Sequence, residues 1–76
     1  MPPLRTVSSS LISRIGYDAA NEELWVEFHG SAKSGPVLWR YEEVKPAEYA
    51  TMTASGSIGK YFLGNIKGHK PAHKES

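Results

Sequence analysis

From Glu23 to His29 the chain alternates, with Leu24, Val26 and Phe28 on one side and Glu23, Trp25, Glu27 and His29 on the other. A period of two marks a β-strand with one buried face. The segment before it, Ser10 to Tyr17, predicts another strand, with Leu11, Ile15 and Tyr17 on one side and Ile12 and Arg14 on the other. Asp18 and Asn21 in the link between them favour a turn, so the two strands pair as a hairpin. A link rich in glycine and serine, Gly30 to Pro36, leads to a third strand in which Val37, Trp39 and Tyr41 face alike. Short links predict an antiparallel meander over residues 10–17, 23–29 and 36–42.

The period then changes. Pro46 suits the first turn of a helix, where a missing N–H costs nothing. The helix Pro46 to Ala54 places Tyr49 and Met52 on one side and stops near Gly56, a natural C-terminal cap. Ser57 caps a second helix, in which Ile58, Phe62 and Ile66 recur at intervals of four. Gly64 weakens its interior by up to about 1 kcal/mol, and Gly68 ends it. The fold class expected is α+β: a three-stranded antiparallel meander followed by two short helices packed on one face. Leu24, Val26, Phe28, Val37, Trp39, Tyr41, Met52, Ile58, Phe62 and Ile66 are the expected core. That core belongs to one domain over residues 7–68, with 1–6 a flexible N-terminus and 69–76 a disordered basic tail.

Size narrows this picture. Seventy-six residues with no cysteine leave neither disulfides nor thiolate metal sites to supplement a core built on eight aromatics. No run is apolar enough to span a bilayer, and the first ten residues lack the apolar block of a signal peptide. A soluble, cytoplasmic, monomeric protein is expected. The formal charge of +1 hides an asymmetry. Residues 1–57 carry five basic and seven acidic side chains, whereas residues 58–76 carry Lys60, Lys67, Lys70 and Lys74 against Glu75 alone. Attraction to a polyanion is therefore concentrated at the C-terminal end.

The stretch Ser55 to Phe62, SGSIGKYF, looks at first like a phosphate loop. Only two residues separate Gly56 from Gly59, and Tyr61 stands where a magnesium-binding hydroxyl residue belongs. The stretch is instead a helix–turn–helix junction. His29, His69 and His73 lie at a strand end and in the tail, without the carboxylate at helical spacing that general-base work requires. His69 and His73 are four apart but interrupted by Pro71, with no third ligand nearby, so no metal and no cofactor are expected. Neither is catalysis.

Taken in order, VSSSLISRIGYD, LWVEF, VLWRYEEV and SIGKYFLGNIKG resemble the KTSC domain, a family named for its place at the C-terminus of some lysyl-tRNA synthetases. The family also occurs as small standalone proteins of bacteria and phages. The marks are the pair Ser8-Ser9, the triplet Gly16-Tyr17-Asp18, a central aromatic pair two apart, and Ser57, Gly59, Tyr61 and Phe62 in the run S-x-G-x-Y-F. Two positions depart from the family pattern. The central pair is Trp39 and Tyr41 where two tyrosines are usual, and Leu63 stands where asparagine is usual.

The resemblance implies RNA binding, to RNA or a tRNA. For that role the residue types single out two places. Trp25 and Arg40 lie on the sheet face opposite the core, where a tryptophan stacks a base and an arginine meets phosphate. Lys60, with the amides after Ser57, forms a helix N-terminus suited to an anion, and Lys67 lies beyond it. The site so read runs from Ser57, Lys60 and Lys67 toward Arg40 and Tyr41, with Ser8, Ser9 and Ser10 lining it or merely preceding a strand. The alternative is a protein–protein interaction module, a small regulator docking by its sheet on a transcription or translation complex. The near-neutral charge favours that reading over nonspecific nucleic-acid binding.

Overall fold

The computed structural model describes residues 1–33 and 35–76. Five strands form one antiparallel sheet in chain order: β1 (Arg5–Thr6), β2 (Ile12–Asp18), β3 (Glu23–Ser31), β4 (Gly35–Tyr41) and β5 (Ala72–Lys74). Helices α1 (Pro46–Ala54) and α2 (Ile58–Asn65) are inserted between β4 and β5. The α+β class and the central meander agree with the sequence, but the strand count of three is corrected to five. Both added strands come from segments read as flexible terminus and disordered tail. β1 has two residues and β5 three, all exposed, so neither leaves an apolar period to find. They exist because β2 and β4 would otherwise present open hydrogen-bonding edges.

A second correction concerns which side of β2 is buried. Ile12 pairs with Phe28, but Arg14 pairs with Glu27, so Ser13 is an extra residue, a β-bulge. The bulge resets the alternation. Ile12, read as outward-facing, is therefore fully buried together with Ile15, while Arg14 stays outside in a bidentate pair with Glu27 at 2.7 and 2.8 Å. The Ser9 hydroxyl accepts the Leu11 and Ile12 amides, both at 3.1 Å, and anchors the chain as it enters the bulge. The third strand pair extends farther than expected, to Ser31 and back from Gly35, into the link read as loop.

Helix α1 starts where Pro46 indicated, and Glu48 accepts the Lys45 amide at 3.0 Å as half of a capping box. Its end is not the expected glycine cap. Ser55, in extended conformation, closes it by donating both its amide and its hydroxyl to the Met52 carbonyl. Ser57 does cap α2, accepting the Lys60 amide at 3.2 Å. Gly68, at φ +82°, turns the chain after that helix.

The core lies between the sheet and the two helices. Ile12, Ile15, Leu24, Val26, Tyr41, Val44, Met52, Phe62 and Ile66 are buried. Phe28, Trp39 and Ile58, expected in the core, are half-buried against it. Phe62 is the pivot, edge-on to Phe28 at 5.4 Å and to Tyr41 at 5.1 Å between ring centroids. Val44, which the strand pattern passed over, is buried, and its amide donates a hydrogen bond to the Glu22 carbonyl at 2.9 Å. Tyr17 ties the sheet to α1 by stacking on Tyr49 at 4.5 Å and donating its hydroxyl to the Val44 carbonyl at 2.6 Å.

Candidate functional site

The outer face of the sheet carries a row across four strands: Gly16, Trp25, Arg40 and His73, each paired with the next. Gly16 has no side chain because the N-terminal segment occupies the space. A Cβ there would sit 2.7 Å from the Pro3 carbonyl oxygen and 2.8 Å from Leu4 Cδ2. Trp25 is half-buried beside it, and its indole N–H is buried without a hydrogen-bond partner. The Arg40 guanidinium stands 5.9 Å from the centre of the Trp25 ring and meets Glu23 at 3.0 Å, Glu42 at 3.4 Å and Glu75 at 3.5 Å. Burial works against its charge, but the three carboxylates overcome that and raise its pKa. A cation held by three anions has little attraction left for phosphate. Trp25 and Arg40 thus stand together on the expected face, engaged with the protein itself.

Tyr41 points the other way, into the core, so the sheet separates it from Arg40. The remaining candidates fall into two clefts along α2. The first, of about 520 Å³, lies at the N-terminal end of the helix between the Ser8–Ser10 run and Ser57, with Lys60 and Leu63 on its walls. Gly59 permits this approach: a Cβ there would come within 3.2 Å of the Ser9 hydroxyl and 3.7 Å of Leu11 Cβ. Lys60 and Leu63 are exposed. The hydroxyls of Ser9 and Ser57 already accept backbone amides, and His29 meets the Ser9 carbonyl at 3.0 Å rather than a hydroxyl.

The second cleft, of about 430 Å³, opens at the other end of α2 among Leu11, Phe28, Trp39, Tyr41, Lys67 and Ala72. Three of its lining residues, Phe28, Trp39 and Tyr41, are aromatic, and burial pushes the Tyr41 hydroxyl above its ordinary pKa. Lys67 stands on its rim. Lys74 pairs with Trp39 across β4 and β5 and so shares this face of the sheet. Leu11 lines both clefts. The structure therefore brings Tyr41 and Lys67 together, puts Ser57 and Lys60 in the neighbouring cleft, and leaves Arg40 and Trp25 on the opposite face. Phe28, Trp39 and Lys74 were not among the candidates. Their strand pattern marked Phe28 and Trp39 only as inward-facing, and nothing local shows that the helices leave that end uncovered.

The KTSC domain family model matches residues 8–69. The chain belongs to the KTSC domain family. Its fold is similar to that of a KTSC domain protein from Yersinia pestis seen by crystallography, with a TM-score of 0.84, 31% identity and 97% of each chain covered. No match was found among curated proteins. The sequence marks of the KTSC domain now have physical reasons in this chain. Gly16 admits the N-terminal segment, Tyr17 joins sheet to helix, and the Asp18 carboxylate accepts the Asn21 amide and side chain, which lowers its pKa. Ser9 anchors the bulge, Gly59 lets the serine run approach α2, and Phe62 fills the core. The two departures from the pattern, Trp39 and Leu63, each line a cleft. Among the described residues no cluster of histidine and carboxylate side chains has the makings of a metal site, and no helix is long and apolar enough to cross a membrane.

Proposed function

We propose that this KTSC domain is a non-catalytic module that binds single-stranded RNA on its helix side, with bases against the aromatic cleft and phosphates near Lys60, Lys67 and Lys74. The observation that carries this reading is the polarity of the molecule. The cleft of Phe28, Trp39 and Tyr41 has Lys67 on its rim and Lys74 on its face, whereas Glu23, Glu27, Glu42 and Glu75 gather on the other side. Aromatic faces with flanking cations suit an unpaired base and its phosphates, and the pairing needs no sequence-specific contact. The runner-up occupant is an apolar side chain of a protein partner, favoured by the scarcity of polar groups inside the cleft.

Backbone amide shifts during titration with a short single-stranded RNA test the proposal. Movement at Phe28, Trp39 and Lys67, weakening steeply as salt rises, is the expected result. Lys67→Glu with Lys60→Glu should reduce affinity at least tenfold, since a lost phosphate contact and a new repulsion act together. No amide movement at low salt would overturn the RNA reading. A stoichiometric protein partner that shifts the same cleft residues would replace it with the adaptor reading.

A further inference from the structure

Among the residues that line the aromatic cleft, Tyr41 alone is buried, at 4% exposed. Phe62 stands edge-on to its ring at 5.1 Å, and Trp39, two residues back on β4, stacks beside it at 6.4 Å between centroids. That packing fixes the ring and leaves the hydroxyl as its polar end. A buried tyrosine hydroxyl ordinarily finds a partner, as that of Tyr17 does in the Val44 carbonyl at 2.6 Å. Among the described residues none meets the Tyr41 hydroxyl, and burial alone, with no hydrogen bond contributing, lifts its pKa. Nor is this oxygen sealed off. Among the described residues the sealed polar side-chain atom without a partner is the Trp25 indole nitrogen, on the other face of the sheet.

We propose that the Tyr41 hydroxyl is the hydrogen-bonding group of this cleft and donates to the edge of one RNA base lodged against Trp39 and Phe28. This contact rests on the RNA reading and deepens it, because it makes Tyr41 the residue that tells a base from an apolar occupant. A phenol is protonated at neutral pH and therefore has a proton to donate. Every base carries acceptors on its edges, so the bond suits a site without strong sequence preference. An apolar side chain in the same place would cover the hydroxyl and leave it unpaired, at a cost in affinity. The cleft, at about 430 Å³, falls within the range of small-molecule sites, roughly 300–1,000 Å³, and has room for a flat ring system.

Tyr41→Phe removes the oxygen and keeps the ring. Its melting temperature should not fall, since the hydroxyl gives up no bond within the protein. A clear fall would show that the hydroxyl serves the fold, and would overturn the proposal with no RNA involved. Affinity is then measured for a short oligouridylate and for the same oligomer with difluorotoluene in place of uracil, a ring of similar shape that hydrogen-bonds poorly. The preference of the wild type for uracil should exceed that of Tyr41→Phe by about three- to tenfold, the worth of one neutral hydrogen bond. Comparing the two proteins cancels any difference in stacking between the rings. RNA binding with equal preference in both proteins would overturn the proposal and leave the RNA reading standing. Binding of neither oligomer by the wild type would remove the RNA reading itself, and the Tyr41 contact with it.

Discussion

Single residues decide the stability of this molecule because its core is small. Phe62 is fully buried and touches two other aromatic rings, so Phe62→Ala removes a ring from the centre of the core and leaves a cavity. The expected loss is roughly 3–5 kcal/mol, a large part of the whole stability of a domain this size, measured by denaturant or thermal unfolding. A melting temperature close to the parent's would contradict the packing described here. Gly16 is the corresponding test of the outer face. Gly16→Ala drives a methyl group against Pro3 and Leu4, and the N-terminal segment has to move. The change should cost about 1–3 kcal/mol, shift the amides of Leu4 to Thr6 and alter the emission of the adjacent Trp25. Unchanged amides there would mean that the segment does not lie on Gly16.

At the scale of elements, caps and the bulge explain why segments start and stop where they do. The Lys60 amide at the start of α2 donates to the Ser57 hydroxyl, and Ser57→Ala should destabilise the protein by about 1 kcal/mol with loss of amide protection confined to the first turn. Protection lost equally across the sheet would show instead that α2 and the sheet open as one unit. Helix starts were legible because proline and serine act within one turn. The phase of β2 was not. The alternation through Leu11, Ile15 and Tyr17 reads as a regular strand, and only the pairing of Ile12 with Phe28 shows that Ser13 is extra.

For the molecule as a whole, charge distribution governs the response to acid. Hydrogen bonds hold three carboxyls below their ordinary pKa: Asp18 through Asn21, Glu27 through Arg14, and Glu48 through the Lys45 amide and then Lys70. A group whose folded pKa is depressed contributes stability that is fully present above its unfolded pKa and is lost as pH falls through the folded one. Thermal stability should therefore hold at neutral pH and decline below about pH 4. Glu48→Gln should remove part of that decline, read as a shallower slope of melting temperature against pH. An unaltered slope would assign the acid sensitivity elsewhere.

Local chemistry along the chain was enough to specify the central meander, both helices and most of the core, because alternation, capping residues and turn formers act over a few neighbours. It also named Ser57, Lys60, Lys67, Tyr41, Trp25 and Arg40 as residues of note. Which of these share a surface depended on tertiary structure. Adjacent strand residues point to opposite faces, so Arg40 and Tyr41, neighbours in the chain, ended on different sides of the sheet. The edge strands β1 and β5 carry no apolar period of their own and form only because β2 and β4 are already there to receive them. The clefts, likewise, are spaces between distant segments, Ser8–Leu11 against α2 and Phe28 against Lys67, and no local pattern records a space.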